Sequence, residues 1–160
     1  MAIIRGIIMP NFAIDEFPQG ETEFASFRLL TALQEFRDIL GEAISPSKVK
    51  GALARFDGSE TSDHFTDAMK ASTGIDVFCD CGIFRAWTIA VSCRLWDSVG
   101  VYFDTRDNNG DRHPMLHLGL RKKRAIWLRD NYVYGSPGGS DKLFYDKLMR
   151  LFAEQSSIGK

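Results

Sequence analysis

Three short segments alternate apolar and polar side chains, and this period of two constrains the fold more than any other feature of the chain. In Gly74-Ile75-Asp76-Val77-Phe78-Cys79-Asp80-Cys81 the odd positions Ile75, Val77, Cys79 and Cys81 make one apolar row. Successive side chains of a strand point to opposite faces, so Asp76 projects from the other side. In residues 115–121 the apolar row is Leu116, Leu118 and Leu120, and His117 opposes it. In residues 99–104 Val99, Val101 and Phe103 turn inward while Tyr102 and Asp104 turn outward. Together with residues 125–129 and 131–134, these segments predict an antiparallel sheet with helices packed on one face and a polar row on the other.

The helices are read from a different period. Phe27, Leu30, Leu33, Phe36, Ile39 and Leu40 recur at helical spacing and stop at Gly41, a natural helix end. A second helix is expected within residues 83–95. A third is expected from about 142 to 154, where Leu143, Phe144, Leu148, Leu151 and Phe152 are apolar. Turn-forming residues gather at 17–20, 44–47, 57–59, 107–110 and 135–139. No repeat or linker divides the 160 residues, a length suited to one core, so residues 1–160 are read as a single α+β domain.

Composition removes several classes of function. Hydrophobic residues at 44% and charged residues at 26% are ordinary globular usage. A net charge of -1 supplies no field to draw nucleic acid or an anionic membrane. The run Arg121-Lys122-Lys123-Arg124 is read as a solvated strand end or turn. The early apolar stretch is broken by Arg5 and lacks a small-residue cleavage site, so neither a signal peptide nor a transmembrane segment is expected, and synthesis in the cytoplasm is. Cys79, Cys81 and Cys93 are odd in number and are read as buried free thiols in a reducing compartment. Trp87, Trp96 and Trp127 are assigned to the core. The glycine-rich residues 135–139 lack the lysine of a phosphate loop, so no nucleotide site is read there.

The chemistry-bearing residues cluster centrally. A catalytic zinc takes three protein ligands from His, Asp and Glu and keeps a fourth position open. His64, Asp76 and His117 would supply such a set from a loop and two strands. Spacing alone leaves a second reading open: a turn-capping His64, a salt-bridged Asp76 and a sheet-edge His117.

The wording around these residues resembles the D-alanyl-D-alanine carboxypeptidase and dipeptidase family, a hedgehog-type zinc peptidase group, in its phage or viral single-domain form. Ser62-Asp63-His64, then Gly74-Ile75-Asp76-Val77-Phe78, then residues 115–121 are similar to the family's Ser-x-His, Gly-x-Asp and later-histidine motifs. Residues 33–41 resemble the family's helix ending in glycine, and the similarity covers roughly 12–134. The resemblance implies a Zn2+ ion on His64, Asp76 and His117. It also implies that Arg55 binds the substrate's terminal carboxylate, and a zinc D,D-peptidase-like fold. Two departures stand out. Eleven residues separate His64 from Asp76 where the family has about six, and Pro114 and Gly119 occupy the positions at which family members carry a Glu or an Asp beside the last histidine.

Proton transfer therefore falls to another group. His113 is the candidate, as imidazole is the side chain suited to proton transfer near neutral pH, with Asp104 and Asp111 as looser ones. An exposed loop position for His113 is the alternative. The resemblance implies a zinc-dependent D,D-carboxypeptidase or endopeptidase acting on peptidoglycan peptides, phage-encoded and virion-associated or released at lysis. The missing carboxylate beside His117 favours the alternative, a catalytically inactive virion structural or cell-wall-binding protein that meets other virion proteins.

Overall fold

The computed structural model describes residues 1–137 and 141–158, and the glycines at 138 and 139 of the expected 135–139 turn lie outside them. Helix α1 (Phe27–Leu40) begins where Ser26 leaves the extended conformation and its hydroxyl accepts from the Leu29 amide at 3.2 Å. It ends at Gly41, whose φ of 69° suits a residue without a β-carbon and whose amide bonds the Arg37 carbonyl. Leu29, Leu30, Leu33, Phe36 and Leu40 are buried, whereas Phe27 and Ile39, given to the same face by their spacing, are 52% and 48% exposed. Helix α2 (Ile83–Ser92) lies within its expected range. Helix α3 (Asp141–Ile158) starts one residue earlier and ends four later than expected. Its Phe144, Leu148, Leu151 and Phe152 are buried, and Leu143 is exposed.

Strands β1 (Ala2–Ile4) and β2 (Ile7–Met9) form a hairpin turned at Arg5 and Gly6. The main sheet contains β3 (Ile44–Pro46), β4 (Gly74–Cys79), β5 (Ser98–Tyr102), β6 (Met115–Gly119), β7 (Ala125–Asp130) and β8 (Val133–Gly135), in the order β3-β4-β6-β5-β7-β8. The fold is thus α+β, with one difference from the expected antiparallel sheet. β5 and β7 run parallel, while every other pair is antiparallel. β6 returns to the start of β5, and residues 120–124 step across that end so that β7 sets out in the same direction as β5. Asp97 is the pivot. Its amide donates to the Gly119 carbonyl (3.0 Å), its carbonyl accepts from Ala125 (2.9 Å), and its carboxylate accepts from the Arg121 amide (3.0 Å).

The alternating rows fall as expected. Ile75, Val77, Val99, Val101, Leu116, Leu118 and Leu128 are buried in one cluster with apolar residues of α1, α2 and α3. The opposite face carries a smaller cluster of Phe78, Tyr102 and Met115, with Trp127 packed against it. The cysteines are free, Cys79 buried and the other two half-buried. No helix among the described residues is long and apolar enough to cross a membrane.

The long connection between β3 and β4, residues 47–73, is held by one buried carboxylate. Glu21 accepts from the amides of Gly51 (2.6 Å), Leu53 (3.0 Å) and Ala54 (2.8 Å). Ser72 adds side-chain bonds to the carbonyls of Leu53 and Asp63.

Candidate metal centre

On the sheet face away from the helices, Asp76 of β4 stands opposite His117 of β6, His117 opposite Gly100 of β5, and Gly100 opposite Trp127 of β7. Directly paired residues share a face, so these four form one row. A β-carbon at Gly100 would collide with the indole of Trp127. The glycine lets that ring lie across β5 and meet the His117 ring at 4.9 Å between centroids. Trp127 packs against the smaller apolar cluster and lines the site, whereas Trp96 is buried in the helix-covered core and Trp87 packs against it.

His64 reaches the row from the 47–73 connection. Its carbonyl accepts from the Arg55 amide at 2.9 Å, and its amide donates to the Ser62 hydroxyl at 3.3 Å. Three potential donor atoms then converge. His64 Nε2 lies 2.9 Å from His117 Nδ1 and 3.3 Å from Asp76 Oδ1, and His117 Nδ1 lies 3.0 Å from Asp76 Oδ1. A tetrahedral ion with bonds of about 2.0–2.1 Å keeps neighbouring ligand atoms roughly 3.3 Å apart. Among the described residues this buried group, His64, Asp76 and His117, is the one set able to hold a metal ion.

The second nitrogen of His117 shows which atom faces the centre. Nε2 lies 3.0 Å from Asp63 Oδ2, an acceptor, so it carries the hydrogen and leaves the Nδ1 lone pair for the site when the ring is neutral. Asp63 also accepts from the Ser98 hydroxyl (2.6 Å) and from Arg121 Nε (2.7 and 2.9 Å). His64 has no such brace, since its buried Nδ1 has no hydrogen-bond partner.

The electrostatics of the centre follow from this clustering of carboxylates and imidazoles. Burial alone would raise the Asp76 carboxyl, yet the field of His64 and hydrogen bonds to both histidines hold it far below the usual carboxylate range. Burial likewise opposes ionisation of Asp63, but bonds to His117 and Ser98, the field of His117 and a bond to Arg121 bring it to about 2. Burial disfavours a charged His117, and bonds to Asp63 and Asp76 outweigh that and raise its pKa.

The triad opens into a cleft of about 840 Å³. Lys50, Arg55, Arg106, Arg121 and Arg129 line it against the carboxylates of Asp76 and Asp104, giving it a cationic bias. Arg55 also lines the cleft, and its buried Nε has no hydrogen-bond partner among the described residues. Arg129 grips Asp104 at 2.8 Å and lies within 6 Å of the rings of Tyr102, Tyr132 and Tyr134, making an aromatic wall. Asp104 also accepts from the Tyr132 amide, and these bonds lower its pKa against the effect of burial.

His113 is not brought to the triad. Its ring packs edge-on against Phe78, its Nδ1 lies 2.9 Å from the Pro114 carbonyl, and it lines a separate cavity of about 250 Å³. Asp111 is exposed. Sequence reasoning passed over Asp63 and Arg121. All four residues of the run 121–124 are exposed, as a solvated turn requires, yet the Arg121 side chain also pairs with the buried Asp63 and Arg124 donates to the Val91 carbonyl. The available signal was Asp63 inside the Ser62-Asp63-His64 motif. No protein-family model, curated protein or solved structure matches the chain, so its chemistry rests on the arrangement itself.

Proposed function

We propose that this chain is a zinc-dependent peptidase of the D-alanyl-D-alanine carboxypeptidase type, acting on the peptide stems or cross-links of peptidoglycan, on a scaffold of the same type. The observation that carries the reading is the convergence of His64 Nε2, Asp76 Oδ1 and His117 Nδ1 at the floor of an open, cationic cleft. Zinc on those three residues would supply a Lewis acid that polarises the scissile carbonyl and activates water.

The other residues have separable roles. Arg55, unpaired and lining the cleft, binds the terminal carboxylate of the peptide, where its planar fork matches two oxygens. Trp127 and the tyrosines gathered round Arg129 present the apolar wall along which the peptide lies. His113, the sequence candidate for proton transfer, lines a separate cavity and not the cleft, so it is left out of this set of roles. The setting that fits such an enzyme is a phage or virus that breaches or remodels its host's wall.

A specific observation favours a second reading, a metal-binding but inactive wall-binding or virion protein. Each carboxylate near the centre is already engaged: Asp76 by two histidines, Asp63 by His117, Ser98 and Arg121, and Asp104 by Arg129. None stands free to take a proton. Elemental analysis of the purified protein and digestion of peptidoglycan with mass-spectrometric product detection decide between them. Zinc with products that disappear in His117→Ala supports the enzyme, and zinc without products supports the binding protein. Products unchanged by His117→Ala refute the peptidase reading.

A further inference from the structure

We infer that Asp63 is the positioning residue of the metal centre: its carboxylate, delivered by a loop into a notch of small residues, fixes the His117 ring so that Nδ1 faces the ion. This inference rests on the metal-centre reading and adds to it a residue outside the ligand set.

The notch is built by the sheet. Gly74 of β4, Gly119 of β6 and Ser98 of β5 pair directly across the three strands, next along the strands from the row of Asp76, His117 and Gly100. A β-carbon at Gly74 would fall 2.5 Å from the Asp63 β-carbon, and one at Gly119 would collide with the Asp63 carboxylate and the Ser98 hydroxyl. Three adjacent strands thus have minimal side chains at one level, and a loop carboxylate fills the space they leave.

Once seated, that carboxylate has little freedom. It accepts from Ser98 and Arg121 as well as facing His117, and Asp63 is 4% exposed. Its main chain is pinned too, the carbonyl accepting from the Thr73 amide at 2.8 Å and the Ser72 hydroxyl at 3.1 Å. A carboxylate on the far nitrogen of a ligating histidine fixes its tautomer and ring orientation. Because His64 has no equivalent partner, Asp63 carries this function alone. Gly119 acquires a reason as well. An acid at that position would stand beside His117, but it would evict the carboxylate already there, so Gly119→Asp weakens the centre.

The test is the zinc dissociation constant of the full chain, measured by competition with a chromophoric chelator. The proteins are wild type, Asp63→Asn, Ser98→Ala, Gly119→Asp and Leu148→Ala, the last a destabilising control in the helix-covered core on the other face of the sheet. Asp63→Asn is expected to weaken zinc binding about 10–100-fold, Ser98→Ala by less, and Leu148→Ala not at all. Nitrogen-15 NMR of the zinc-loaded protein reads the tautomer directly. The wild type shows a slowly exchanging His117 Nε2 proton that Asp63→Asn loses. Wild-type affinity in Asp63→Asn, or in Ser98→Ala should the first variant not fold, overturns the role. So does a loss in Leu148→Ala equal to that in Asp63→Asn. A wild-type protein that takes up no zinc overturns the metal-centre reading itself, and the role of Asp63 with it.

Discussion

Asp76 and Gly100 illustrate how single residues divide the work of this face. Asp76 is the sole carboxylate among the three converging groups, and replacing it with Asn keeps the shape while removing the charge that favours a cation. Asp76→Asn is expected to weaken zinc binding by more than the roughly 10–100-fold typical of an outer partner, measured by chelator competition. Gly100 has a steric task. Gly100→Ala forces the Trp127 indole off β5 and should cost about 1–3 kcal/mol, read from urea unfolding followed by tryptophan fluorescence. An unchanged midpoint would show that the indole has somewhere else to go. At this scale the alternation in residues 74–81 and 115–121 made the outward direction of Asp76 and His117 legible, because a period of two fixes the face. Their register against one another was not legible, and neither was Asp63 on His117. These are long-range pairings chosen by packing, on which local pattern is silent.

Elements show the same split between what a local pattern specifies and what only assembly decides. Helix α1 has both ends written in its flanking residues, Ser26 as cap and Gly41 as stop. Ser26→Ala should therefore lower stability by about 1 kcal/mol, visible as a drop in thermal midpoint, and leave zinc affinity as it was. The sheet is different, since alternation reports faces and not strand direction. The parallel pairing of β5 with β7 arises from a five-residue crossing around Asp97, and that crossing delivers Arg121 to Asp63. An exposed charged run thus holds a residue that topology also pairs with a buried carboxylate. The two exposed apolar residues of α1 have a similar origin: helical spacing marks a stripe, and the neighbouring elements decide how wide a stripe they cover.

For the whole molecule, protonation and metal binding are linked through His117. Its raised pKa contributes stability that is fully present below about 6.5 and is lost as pH climbs through the folded value. The lowered Asp63 contributes stability that is present above its ordinary 3.8 and lost as pH falls towards about 2, and Asp76 acts in the same direction. The metal-free protein should accordingly be most stable between about pH 4 and 6.5, and a metal has to displace the His117 proton to bind. Removing zinc with a chelator should lower the thermal midpoint more at pH 8 than at pH 6. At a pH where zinc stands at 100 times its dissociation constant the bound ion contributes about 2.7 kcal/mol, and a chelator effect that shrinks as pH rises would contradict the linkage. Glu21 extends this dependence beyond the cleft. Its three amide bonds tether residues 51–54, beside the Arg55 amide that bonds the His64 carbonyl, so one imidazole of the centre is leashed from a residue ahead of the first helix. A lesion at Glu21 would masquerade as a defect of the centre, loosening His64 while every residue able to hold an ion stays intact.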